Sequence, residues 1–175
     1  MKNKIIDFLN LNSNNILTEN SKFDYPEVRN VLQMLTEHES EISWVNEFEK
    51  QFSEKFGVNH SIACNSGTSG LHAALYAMDV FAGDEVIIPT LTVISNVDVI
   101  FAQGAIPVFA DIDPNTFNID PEDIKRKITP KTKAIMPVSL YGLSCDLDPI
   151  IKIAKENNFG VINDAAEAFG SLYKG

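Results

Sequence analysis

Two stretches of this chain carry residue types whose spacing suits chemistry. Val161-Ile-Asn-Asp-Ala-Ala-Glu-Ala-Phe-Gly-Ser171 is a short apolar run that ends in an acid, Asp164, followed at once by small residues. A carboxylate at the end of a buried strand, with Ala165 and Ala166 leaving room beside it, can hold a charged ligand or a flat cofactor. It can equally be an N-cap or turn aspartate. The second stretch is Asn65-Ser-Gly-Thr-Ser-Gly70. If it joins a strand to a helix, the N–H groups of Thr68 and Ser69 lack intrahelical acceptors, Gly67 permits close backbone approach and the hydroxyls add donors. Together these make a phosphate cup. An ordinary Ser/Thr-capped helix start has the same composition. The stretch has neither the lysine of a P-loop nor a GxGxxG spacing, which argues against nucleoside triphosphates and dinucleotides.

Both stretches depend on the elements that would carry them. Residues 1–22 are rich in Asn, Ser and Lys and read as a loosely ordered lead-in; the domain is expected to start at about residue 23 and run to Gly175. Val28, Val31, Leu32 and Leu35 have helical spacing after Pro26. Ile42, Val45, Phe48, Phe52 and Phe56 repeat every three or four residues and stop at Gly57, an amphipathic helix with a glycine terminator. From there the pattern alternates. Strands are expected at 61–64, 85–88, 106–110, 132–138 and 160–163, with helices at 67–82, 92–103, 121–128 and 147–157. The strands are apolar throughout instead of alternating with polar residues, so the expected fold is α/β, a three-layer α/β/α domain whose mostly parallel sheet is covered on both faces. The sheet looks incomplete at Gly175, as in a fragment of a longer chain.

Composition removes several function classes. Against 24 acidic residues there are 14 basic ones, for a net charge of −10. With no Lys/Arg cluster, nucleic acid is not an expected partner. The N-terminus does not read as a signal peptide, and there is no apolar run of about 18 residues, so no membrane span and a cytoplasmic protein are expected. Cys64 and Cys145 make no CxxC and read as reduced structural thiols. His38, His60 and His72 have no metal-ligand spacing, so no metal site is expected. Asp111, Asp113 and Asp120 do not fit an EF-hand loop.

In a parallel α/β sheet, ligands bind beyond the carboxyl ends of the strands, which places the 65–70 turn and Asp164 on one edge. A phosphate cup and a carboxylate together suit a cofactor with a phosphate at one end and a protonatable ring nitrogen at the other. Pyridoxal 5′-phosphate (PLP) has that shape. A carboxylate against the pyridine nitrogen favours the protonated ring, an electron sink for a carbanion.

The sequence resembles the DegT-type sugar aminotransferases, PLP enzymes that aminate nucleotide-linked keto-sugars. The resemblance rests on Asn65-Ser-Gly-Thr-Ser-Gly-Leu-His72, Gly83-Asp-Glu-Val-Ile-Ile-Pro-Thr90, Gly104-Ala-Ile-Pro-Val-Phe-Ala-Asp-Ile-Asp-Pro114, Thr116-Phe-Asn-Ile-Asp120, Tyr141-Gly142 and Asn163-Asp-Ala-Ala-Glu-Ala-Phe-Gly170. It runs in order from about Trp44 to the end. It implies the large domain of the type I PLP fold, with Gly67, Thr68 and Ser69 at the phosphate, Asp164 at the pyridine nitrogen and Glu167 beside the phenolic oxygen. It also implies a nucleotide-sugar substrate, an amino-acid donor and a homodimer.

The departures are specific. Val93 stands where the family has an aromatic stacked on the pyridine ring, and an aliphatic side chain there forgoes an offset stack worth about 1 kcal/mol. Ser139 stands where histidine is frequent. The resemblance puts the Schiff-base lysine downstream of Gly175; Lys174 follows Asp164 too closely to match it, so no catalytic residue is expected within these residues. Two alternatives accompany this reading: a truncated, non-catalytic cofactor-binding or interaction protein, and the related PLP-dependent sugar dehydratase branch.

Overall fold

A computed structural model gives the fold, and it describes Val31 and residues 43–175. The 1–22 lead-in and, apart from Val31, the helix expected after Pro26 lie outside the described residues. The chain divides into two compact units, Met1–Ala63 and Cys64–Gly175.

In the first unit, helix α1 spans Trp44–Phe56. The Ser43 hydroxyl caps it by accepting from the Asn46 amide at 3.3 Å, and Gly57 ends it in the left-handed conformation at φ 65° that glycine adopts without steric cost. Phe48, Phe52 and Phe56, four residues apart, stack along one face with ring centroids 6.0 and 4.5 Å apart. The strand expected at 61–64 is not formed. The Ala63 amide donates to the Glu49 carboxylate at 2.7 Å and the Ser61 hydroxyl to the Glu49 carbonyl at 2.8 Å. The Ala63 amide, which a ladder would use, is thus bound to α1 instead.

The second unit is built on a four-stranded parallel sheet. Its helices are α2 (Gly67–Ala77), α3 (Ile94–Ala102), α4 (Pro121–Lys127) and α5 (Leu147–Asn157). Its strands are β1 (Glu85–Pro89), β2 (Ile106–Ala110), β3 (Thr132–Ile135) and β4 (Gly160–Val161), in the order β2-β1-β3-β4. Because side chains alternate across a strand, Val86 and Ile88 enter one face of the sheet and Ile87 the other. On the first face they pack with Leu75 of α2 and Val99 and Ile100 of α3; on the second, Ile87 and Ile135 pack with Ile124 of α4 and Ile150 and Ile153 of α5. Two buried apolar cores on either side of a parallel sheet make the expected α/β/α layers.

Helix ends follow local chemistry. The expected 67–82 helix stops at Ala77 because Asp79 turns left-handed at φ 54°, with its amide bonded to the Tyr76 carbonyl and that of Val80 to Leu75. This is a Schellman turn, repeated at Gly104 after α3 and at Asn158 after α5. Space at Gly104 is also tight: a Cβ there would meet that of Ala82 at 3.1 Å. β3 stops at Ile135 and not Val138 because Pro137 has no N–H to donate. Pairing resumes past it at an isolated parallel bridge between Val138 and Asp164. No helix of the described residues is long and apolar enough to cross a membrane.

Candidate functional site

The strand order fixes where a site can lie. From β1 the chain moves outward to β2 through α3, then returns past β1 to β3 through α4. The connections after β1 and β3 therefore leave in opposite directions, and the gap between them at the carboxyl edge is the topological switch point where ligands bind in such sheets. Helices α2 and α3 both finish at the opposite edge, where the Gly83 amide donates to the Gly104 carbonyl at 3.1 Å. With similar lengths, about 16 and 14 Å, both begin at the carboxyl edge.

Asp164 lies on that edge, half-buried. Its amide donates to the Pro137 carbonyl and its carbonyl accepts from the Ser139 amide, both at 2.9 Å, so the backbone is locked to the end of β3. The carboxylate accepts at both oxygens: Oδ2 from Asn96 Nδ2 at 3.0 Å and Oδ1 from the Ala166 amide at 3.1 Å. The second bond is an Asx-type turn; Ala165 and Ala166 add no bulk beside it. Asn96 is fully buried in the first turn of α3, and its Nδ2 also lies 3.4 Å from Met136 Sδ. Its Oδ1 is buried with no partner among the described residues. An unsatisfied buried carbonyl costs about 1–3 kcal/mol, so this asparagine is not an optimal core residue. The sequence does mark it: an amide on the inward face of a helix whose other inward residues, Val99 and Ile100, are apolar needs a polar partner. Sequence reasoning passed over it.

Glu167 is exposed, one turn beyond Asp164. Its Oε2 accepts from the Tyr141 amide at 3.2 Å and its carbonyl from that of Gly142 at 3.0 Å. The 140–143 loop is held from below by buried Asn118, which accepts from the Leu140 amide and donates to the Leu143 carbonyl. Tyr141 and Phe117, both left-handed at φ 54° and 60°, meet edge to face at 6.4 Å. Ser139 is buried and bridges to the same edge, donating to Asn163 Oδ1 at 3.3 Å and accepting from the Cys145 amide at 3.1 Å.

The 65–70 turn forms the start of α2 with Ser66 as N-cap. The expectation of a free Ser69 amide is corrected: it donates to Ser66 Oγ at 3.1 Å, the ordinary capping bond. The amides of Gly67 and Thr68 have no acceptor among the described residues. A Cβ on Gly67 would meet nothing within 4 Å, so the space above the helix start is open. Val93 is the residue before α3, half-exposed, with its carbonyl accepting from the Asn96 amide at 3.1 Å. Val93 and Asp164 are thus tied to one another through Asn96.

These residues fit a phosphorylated pyridine. Two free amides and an open glycine surface at a helix start suit a phosphate. A pinned carboxylate suits a ring N–H, and Val93 offers an apolar contact. A separate cavity of about 450 Å³, lined among others by Asp113, Asn118, Asp146 and Tyr173, does not include Asp164 or the α2 start. Lys174 is engaged with Asp148 and Asp146 at the start of α5. Cys145 is buried, and burial pushes its thiol up from its ordinary value, as an unreactive core thiol requires; Cys64 is exposed.

Known proteins resemble this chain in sequence and fold. The DegT/DnrJ/EryC1/StrS aminotransferase family matches residues 21–175. GDP-perosamine synthase of Caulobacter vibrioides is 53% identical over 132 residues, 75% of this chain and 36% of its own length. The crystal structure of an aminotransferase from Psychrobacter cryohalolentis superposes with a TM-score of 0.81 at 38% identity, covering 88% of this chain and 40% of that one. A GDP-4-keto-6-deoxymannose-3-dehydratase with a trapped PLP-glutamate geminal diamine gives 0.80 at 28% identity, covering 88% and 42%. The chain therefore spans about two fifths of the length of the relatives it matches, within a fold shared by PLP-dependent aminotransferases of type I. On the family match across residues 21–175, the chain belongs to the DegT/DnrJ/EryC1/StrS aminotransferase family.

Proposed function

We propose that the protein is a PLP-dependent aminotransferase of a nucleotide-diphosphate-linked keto-deoxy-sugar, with an amino acid such as glutamate as donor. The reading includes a cytoplasmic homodimer whose reacting lysine comes from sequence beyond Gly175. The observation that carries it is the Asp164 carboxylate, held at both oxygens on the switch-point edge of the sheet. Gly67, Thr68 and the Ser69 hydroxyl would bind the phosphate. Val93 would pack on the ring, Asp164 would hold the proton on its nitrogen, and Glu167 would stand at its phenolic oxygen. When bound, PLP supplies the electron sink that lets an amino group pass between amino acid and sugar. Asp164 serves that chemistry by keeping a negative charge fixed at the nitrogen, with no reorganisation needed as charge develops.

A second reading, the sugar dehydratase, is favoured by the 0.80 superposition on GDP-4-keto-6-deoxymannose-3-dehydratase. Mass spectrometry of the complete protein's reaction with GDP-4-keto-6-deoxymannose, glutamate and PLP separates the two. Formation of the amino-sugar with 2-oxoglutarate supports the aminotransferase. A 3-deoxy product supports the dehydratase, and neither product defeats both.

A further inference from the structure

We infer that Asn96 is a positioning residue for the cofactor, acting by fixing the rotation of the Asp164 carboxylate. The inference rests on the reading of Asp164 as partner of the ring nitrogen. The outermost torsion of an aspartate is broad, so a half-exposed carboxylate held at one oxygen by a neighbouring amide can still swing. The Ala166 amide is such a neighbour, two residues away on the same loop. Asn96 differs in kind. It comes from α3, 68 residues earlier in the chain, and is fully buried, so its Nδ2 is a rigid donor. Bonds to separate oxygens from separate elements define the carboxylate plane and leave a lone pair on each oxygen for a ligand. The amide donates its Nδ2 to the carboxylate, which leaves Oδ1 turned into the core without a partner among the described residues.

That orphaned Oδ1 separates positioning from a structural role. A side chain kept for stability would satisfy its own polar atoms. Asn96 leaves one unsatisfied among the described residues, so a leucine of similar shape should suit the fold at least as well. Asn96 also follows Val93 by one helical turn, so the same short segment presents the apolar ring contact and orients the carboxylate.

The test uses the complete protein, with PLP affinity measured by equilibrium dialysis and the melting temperature of the cofactor-free form as readouts. Asn96→Leu is expected to weaken PLP binding at least about tenfold, the loss of one hydrogen bond to a charged group, while the melting temperature holds or rises. Combined with Asp164→Asn it should weaken binding no further than Asp164→Asn alone, because Asn96 acts through Asp164. Wild-type affinity in Asn96→Leu, or losses that multiply in the double variant, would overturn the inference. If Asn96→Leu does not fold, a crystal structure of cofactor-free Asn96→Ala decides: a rotated or split Asp164 carboxylate supports the inference, and an unchanged one sinks it. Asp164→Asn binding PLP like the wild type would instead remove the role of Asp164, and the inference with it. Loss in Asp164→Asn alone leaves that role standing and removes only Asn96.

Discussion

Asn96 Nδ2 donates to Asp164 Oδ2 at 3.0 Å, and this bond joins the helix that follows β1 to the loop that follows β4, across β3. Three chain segments thereby meet at one residue, Asn96 bonding the Asp164 carboxylate and Pro137 and Ser139 bonding its backbone. If that carboxylate pairs with a ring N–H, removing its charge should be felt there first. Asp164→Asn is expected to weaken PLP binding roughly 10- to 100-fold, the range for a hydrogen bond to a charged group, and to depress transamination in parallel. Dialysis against PLP checks the first and a coupled 2-oxoglutarate assay the second; unchanged values in both would remove the assigned role.

Gly67 offers a separation of fold from ligand. A side chain there meets open space, so Gly67→Val should change the melting temperature by no more than the helix-propensity difference, within about 1 kcal/mol. The same substitution would fill the volume proposed for phosphate, and PLP affinity should fall at least about tenfold while inorganic phosphate no longer competes. Affinity at the wild-type level would move the phosphate elsewhere.

Val93 tests the ring contact from the other direction. Val93→Tyr restores an aromatic beside a half-exposed site and should tighten PLP binding about two- to tenfold, the worth of an offset stack. Fluorescence titration would show it; weaker binding would mean that the ring lies elsewhere.

Much of the fold was legible because it depends on local patterns. The apolar strands from β1 onward, the Gly57 helix stop and the start of α4 at Pro121 all follow from near neighbours in sequence. Expectations failed where tertiary partners decide. Glu49 draws 61–63 away from a sheet, and Asp79 accepts a left-handed turn that no glycine announces. In the site, Asp164 and the 65–70 turn were visible as motifs. Ser/Thr capping was legible there as the alternative, and the Ser69 amide follows it; the contact with Asn96 was not legible, since it spans 68 residues.

Asp123 makes a prediction about stability independent of the cofactor. The Asp111 amide, at 2.6 Å, and then the Arg126 guanidinium, at 2.8 Å, hold its buried carboxyl below the ordinary carboxylate value. A depressed folded-state value means that the contribution is present above the unfolded value, about 3.9, and is lost as pH falls through the lower folded one. Asp123→Asn should therefore melt below the wild type at neutral pH, with the gap closing below about pH 4. A gap constant from pH 7 to pH 2 would contradict this.

The most direct measurement is a crystal structure of the complete protein with PLP bound. The account predicts the pyridine nitrogen within about 3 Å of an Asp164 carboxylate oxygen, the phosphate on the Gly67 and Thr68 amides, and Asn96 still donating to Asp164. PLP seated away from Asp164, or with its phosphate off the start of α2, would contradict it.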